Sequence, residues 1–116
     1  MKKLFYIGLF GVLGVLLLAG CGSRRPPISV TWRISLLDDS SYVMQVTNRS
    51  NNETMVIHLN AKNKELGQHV SHTFKVAPGA TEEIGILEAG WKFLPGETYS
   101  LRADGYTTAI KGTVPR

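Results

Sequence analysis

Beyond Pro27 apolar side chains recur at every second position in short runs broken by turn residues. A chain written with that period can bury one face only as strands of a sheet. Residues 28–37 alternate through Ile28, Val30, Trp32, Ile34 and Leu36, and Asp38-Asp39-Ser40 then turns the chain. In 42–48, Tyr42, Met44 and Val46 share one face and Val43, Gln45 and Thr47 the other. Met55, Ile57 and Leu59 form the inward side of a third strand, with Val56, His58 and Asn60 outward, and 62–69 reads as a polar loop or edge. His72, Phe74 and Val76 mark a fourth strand, ended by the turn Ala77-Pro78-Gly79-Ala80. A fifth runs over 81–88 around Ile84 and Ile86, and a sixth carries Tyr99, Leu101 and Ala103. Asp104-Gly105 is a hairpin signal, and 106–114 closes the pattern. No helical periodicity follows Pro27. Seven strands spaced by about 8 to 12 residues predict an all-β fold, a single seven-stranded β-sandwich domain over 28–116.

The N-terminal part is of another kind. Lys2 and Lys3 precede an apolar run over 4–18, then come Ala19 and Gly20 and the single cysteine of the chain, Cys21. The stretch Leu18-Ala19-Gly20-Cys21 resembles a bacterial lipobox. The run is short of the roughly 20 apolar residues a permanent span needs, and it ends in small residues of the kind that mark a cleavage site. The resemblance implies a lipoprotein signal peptide over 1–20. It further implies that the Cys21 thiol carries diacylglycerol, with a further acyl chain such as palmitate on the freed amine. The expected partner is therefore the membrane, reached through lipidated Cys21, with the domain facing an extracytoplasmic space. Gly22 stands where an aspartate would signal inner-membrane retention, which points to the outer membrane, facing the periplasm, in a cell with two membranes. Residues 21–27 then comprise the lipidated cysteine and a short proline- and arginine-rich tether, whose last six residues span at most about 20 Å.

Removing residues 1–20 from the 116 leaves 96, one small domain with 11 basic and 9 acidic side chains. That balance, with no clustered Lys/Arg run, excludes nucleic acid as an expected partner. A cysteine consumed by lipid forms no disulfide and serves as no nucleophile, so the core alone must hold the domain.

The run from Leu94 to Ala103, Leu-Pro-Gly-Glu-Thr-Tyr-Ser-Leu-Arg-Ala, resembles the Leu-x-Pro-Gly-Thr-x-Tyr segment of fibronectin type III domains with a turn one residue shorter. The segment Val46-Thr47-Asn48-Arg49-Ser50-Asn51 is similar to a strand and loop of Ig-like accessory domains in bacterial surface proteins. These resemblances imply an Ig-like or fibronectin III-like sandwich, and for Tyr99 a tyrosine corner, its hydroxyl bonding back to the backbone just upstream. Trp32 departs from the pattern by standing in the first strand.

Chemistry is sparse. His69 and His72 are spaced to point to opposite sides of a strand, without a neighbouring acid or cysteine to complete a metal site. No Gly-x-Ser-x-Gly turn marks a nucleophile. Asp38-Asp39 and Glu82-Glu83 face opposite ways within each pair. The sequons at Asn48 and Asn52 read as turn polarity. No catalytic residue, metal or cofactor is therefore assigned, and no enzyme is expected. One candidate binding surface stands out: Trp91, Lys92 and Phe93, an aromatic-cation-aromatic run next to Gly90, suited to protein or glycan contact. The competing reading is that Trp91 and Phe93 plug the end of the core. The expected function is a non-catalytic, membrane-anchored envelope lipoprotein that acts as a structural accessory or protein-interaction module, with another envelope protein as its expected partner. The alternative is a glycan- or peptidoglycan-binding lipoprotein.

Overall fold

The computed structural model describes residues 24–116. The expected lipobox, Leu18 to Cys21, and the expected signal peptide lie outside the described residues. The rest is mostly β, in two antiparallel sheets of three and four strands. One sheet has the order β1-β2-β5, from Ile28–Ile34, Tyr42–Asn48 and Thr81–Ile84. The other has the order β4-β3-β6-β7, from Gln68–Val76, Met55–Asn63, Thr98–Ala103 and Ile110–Thr113.

The period-two pattern decides which sides meet. Met44, Val46 and Ile84 from the three-stranded sheet and Ile57, Leu59, Val76 and Leu101 from the four-stranded one are buried in one cluster. Trp32 bridges the sheets, with its ring edge-on to Tyr99 at 5.4 Å and to Phe93 at 5.2 Å between centroids. Such edge-to-face pairs contribute about 0.5–1.5 kcal/mol beyond area burial.

Four boundaries differ from the sequence pattern, one of them the closing strand, which spans Ile110–Thr113 and not 106–114. The first strand stops at Ile34, and Ile34, Leu36 and Leu37 are exposed. Half of the polar stretch 62–69 is strand: β3 reaches Asn63 and β4 starts at Gln68, paired in register across a four-residue turn. The fifth strand ends at Ile84 instead of running to Glu88. Residues Ile86–Ala89 form a single helical turn, α1, whose start is closed by the Gly85 N–H donating to Glu88 Oε1 at 2.8 Å. Gly90 ends it at φ +66°, a left-handed conformation open to glycine, and its N–H donates to the Ile86 carbonyl. A turn of four residues is too short to write a 3.6-residue period, which is why the alternation of Ile84 and Ile86 reads as strand.

The strands give the domain two ends. At the entry end lie residues 24–27, the β2–β3 loop, the β4–β5 turn and the β6–β7 turn. Buried Asn48 ties these loops together: its amide donates to the carbonyls of Glu53 and Val76, and its Oδ1 accepts from the Ser50 N–H. At the far end lie the β1–β2 loop, the β3–β4 turn, α1 and the connection to β6.

Residues 24–27 are laid onto the entry end. Pro26 is fully buried, the Arg24 carbonyl accepts from the N–H groups of Thr107 and Thr108, and the Arg24 guanidinium stands 4.7 Å from the Tyr106 ring centre. This half of the expected tether is thus part of the domain.

Candidate functional site

After α1 the chain returns beside β2, where the Tyr42 N–H donates to the Phe93 carbonyl at 2.8 Å. That bridge directs Phe93 inward, and it is fully buried. Trp91 is 9% exposed and belongs to the core cluster. Of the three residues expected to form a surface, only Lys92 is exposed, and its Nζ donates to Asp38 Oδ2 at 3.1 Å. The aromatic surface is therefore corrected to an aromatic plug: alternation across the bridge sends 91 and 93 to the core and 92 to water.

What fixes the plug is a residue that belongs to no motif. Glu97 is buried, and its carboxylate accepts three hydrogen bonds. Trp91 Nε1–H reaches Oε1 at 3.2 Å, the Leu94 N–H reaches the same oxygen at 3.0 Å, and Asn63 Nδ2 reaches Oε2 at 2.6 Å. The signal for it lay in the period of β6: Glu97 shares parity with inward-facing Tyr99, Leu101 and Ala103.

Tyr99 is half-buried and does not form the expected corner. Among the described residues its hydroxyl makes no bond to the upstream backbone; the ring instead lies across Gly112 on the neighbouring strand. A Cβ at Gly112 would stand 2.5 Å from the hydroxyl, so this position admits only glycine while Tyr99 keeps its place. Burial pushes the phenol pKa above its usual value.

The histidines divide as their spacing predicts. His69 is exposed opposite Lys62, whereas His72 lies on the inward parity and stacks on Phe74 with centroids 5.8 Å apart. His58 joins two other groups: Nε2 is 2.8 Å from Asp104 Oδ1 and Nδ1 is 3.1 Å from Thr73 Oγ1. An acid, an imidazole and a hydroxyl in sequence have the composition of a nucleophile relay. Here they lie across the open face of a sheet, with Thr73 in the middle of a strand. The arrangement works as a cross-strand hydrogen-bonded row.

Two carboxylates are held ionised by their partners. Glu83 falls to about 2 because Arg33 and then Gln45 donate to it, with Arg33 Nε at 2.6 Å. Asp38 falls to about 2 through the Ser40 hydroxyl and N–H, and then Lys92.

The distribution of exposed apolar groups is uneven. Ile34, Leu36, Leu37, Leu66, Ile86 and Leu87 are the exposed large hydrophobic side chains of the described residues, and Leu36 is 92% exposed. All six belong to the far end. The entry end carries arginine, asparagine, threonine and glycine instead. Comparisons with protein-family models, with curated proteins and with solved structures find no match to this chain.

Proposed function

We propose that this chain is a non-catalytic envelope lipoprotein, anchored through Cys21, whose Ig-like or fibronectin III-like sandwich presents a protein-interaction surface at the end away from the membrane. The strand order supports the fold assignment. The order β1-β2-β5 against β4-β3-β6-β7 is compatible with an Ig-like arrangement in which the first, second and fifth strands face the third, sixth and seventh, with the fourth paired beside the third. The observation that carries the function is the gathering of six exposed apolar side chains at the far end. Apolar groups exposed on the loops at one end of a domain offer a place where another molecule can exclude water.

The anchor and the tip fit one orientation. Because residues 24–27 are docked, only Gly22 and Ser23 separate Cys21 from the domain, and two or three residues reach about 10 Å at most. The entry end would then lie against the headgroups, where Arg24 and Arg25 each gain about 1 kcal/mol near an anionic surface. The apolar tip would point outward to a partner envelope protein. Gly22 favours the outer membrane, with the domain on the periplasmic side.

Two experiments test the parts separately. Metabolic labelling with a fatty acid should mark the wild type and not Cys21→Ala; an unlabelled wild type would end the lipoprotein assignment. Photo-crosslinking from a reactive residue at position 36 or 87 in intact cells should capture a discrete protein, and Leu36→Ser with Leu87→Ser should reduce its recovery. Unchanged recovery would remove the tip as the interaction surface.

A further inference from the structure

The outer side of the four-stranded sheet carries cations of one sign. Registers place Lys75 beside Val56 and His58 between Thr73 and Arg102. The next row is Ser71, Asn60, Ser100 and Lys111, and the last is His69, Lys62, Thr98 and Thr113. Four Lys/Arg side chains share this face with no carboxylate inside it. Asp104, at the margin, is held by His58. Elsewhere the described residues carry seven basic and nine acidic groups, so the modest net charge of the domain hides a segregated one. The outer side of the other sheet, by contrast, pairs its cation Arg33 with Glu83.

This face is also shaped. Between Lys62 and Lys111 a shallow depression of about 470 Å³ is floored by Asn60, Thr98 and Ser100. Its origin is local: small hydroxyl side chains on β6 lie between longer ones on β3 and β7. Strand spacing and the rise over two residues place Lys62 and Lys111 about 12 Å apart at their Cα atoms, with Arg102 about 8 Å from Lys111 and about 12 Å from Lys75. The cations thus flank the depression and continue from it along a diagonal.

We propose that the depression between Lys62 and Lys111 binds a carboxylate-bearing sugar unit of a linear acidic polysaccharide, and that Arg102 and Lys75 extend the track along the polymer. The lysines match the carboxylates, and the Asn60, Thr98 and Ser100 side chains offer the mixed donors and acceptors that sugar hydroxyls need. Two other polyanions fit less well. Single-stranded nucleic acid is held by aromatic side chains stacked between its cations, and among the described residues the one aromatic residue lining the depression is Tyr99, whose ring lies on the inward parity against Trp32. A bilayer presents a plane of headgroups, and the depression lies on the flank of the domain, between its two ends. The proposal does not depend on the lipid anchor or on the apolar tip.

The test uses the full chain in a neutral detergent and polygalacturonate as the immobilised probe, with affinity measured from low to physiological salt. The wild type should bind, and binding should weaken as salt rises, because the contacts are ionic. Lys62→Gln with Lys111→Gln should weaken binding on the order of tenfold. Arg49→Gln, which removes one cation from the β2–β3 loop, should change it less than about twofold. Circular dichroism should show both variants folded, since all three side chains are exposed. Absence of binding, an unchanged double variant, or an equal loss with Arg49→Gln would overturn the site. Tighter binding to oligo-dT, or to micelles doped with phosphatidylglycerol, would overturn the assignment to polysaccharide.

Discussion

Removing the Glu97 carboxylate should destabilise the domain more than any surface change of similar size. Its two oxygens satisfy Trp91 Nε1–H, the Leu94 N–H and the Asn63 amide. Glu97→Ala leaves the buried indole N–H and the part-buried Leu94 N–H without their acceptor, at about 1–3 kcal/mol for each unmet donor. Asn63 is half-buried and can turn to solvent, so the sum is about 2–6 kcal/mol. For a domain of this length about 1 kcal/mol corresponds to roughly 4–8 °C in the melting midpoint, so the loss should be plain in a thermal scan. Glu97→Gln separates shape from charge. Its carbonyl can keep Trp91 and Leu94, while its amide meets the Asn63 amide donor to donor. Asn63 must then flip and give up its bond to the Leu66 N–H, 3.0 Å away and exposed. The cost should be about 1 kcal/mol. Urea unfolding followed by tryptophan fluorescence measures all of these. A cycle with Trp91→Phe should show coupling of about 1 kcal/mol between positions 91 and 97. A Glu97→Ala variant within about 0.5 kcal/mol of wild type, or equal losses for Ala and Gln, would refute the argument that this carboxylate holds the plug.

Phe93→Ala should cost about 3–5 kcal/mol, because it empties a fully buried site beside Trp32; a cost below about 1 kcal/mol would contradict the burial. Tyr99→Phe should be nearly neutral, since the hydroxyl holds no backbone bond, whereas Gly112→Ala should lower the melting midpoint and be relieved by Tyr99→Leu. Stability should also fall in acid. A carboxylate whose folded pKa is depressed contributes above its unfolded value and loses that contribution as pH drops through the folded one. Glu83 and Asp38, both held near 2, therefore act over the window from about 4.5 down to 2. Glu83→Gln should flatten the melting midpoint against pH there, and an unchanged slope would show that the Arg33 pair contributes nothing.

The strands were legible because a half-buried strand must alternate, and Met44, Val46, Ile57, Leu59 and Leu101 all follow that rule into the core. Where the sequence pattern misled, tertiary context decided. Leu36 continues the alternation of β1 yet stands in water, since alternation reports which side a residue faces and not whether anything covers that side. Trp91 and Phe93 look available next to a glycine, but Gly90 only ends a helical turn, and the bridge from Tyr42 to Phe93 then turns the aromatics inward. Such a bridge joins residues 51 apart and leaves no local trace. Glu97 escaped notice because a glutamate in a Pro-Gly turn reads as solvent polarity, although its parity with Tyr99 placed it on the inward side.

The same separation of local from global explains why the basic face was not visible. Lys62, Lys75, Arg102 and Lys111 are scattered over 50 residues with acidic residues between them, and no stretch of the chain reads as a basic run. Only the registers of β3 with β4 and β6, and of β6 with β7, bring the four to one side. Strand parity then does the sorting, because each of these cations is flanked in sequence by residues of the buried set, as Lys62 is by Ala61 and Arg102 by Leu101 and Ala103. Burying the core therefore obliges the cations to share the opposite surface. Choosing lysine and arginine there, in place of the alternating signs that keep an idle sheet face neutral, is what gives that surface a chemical direction.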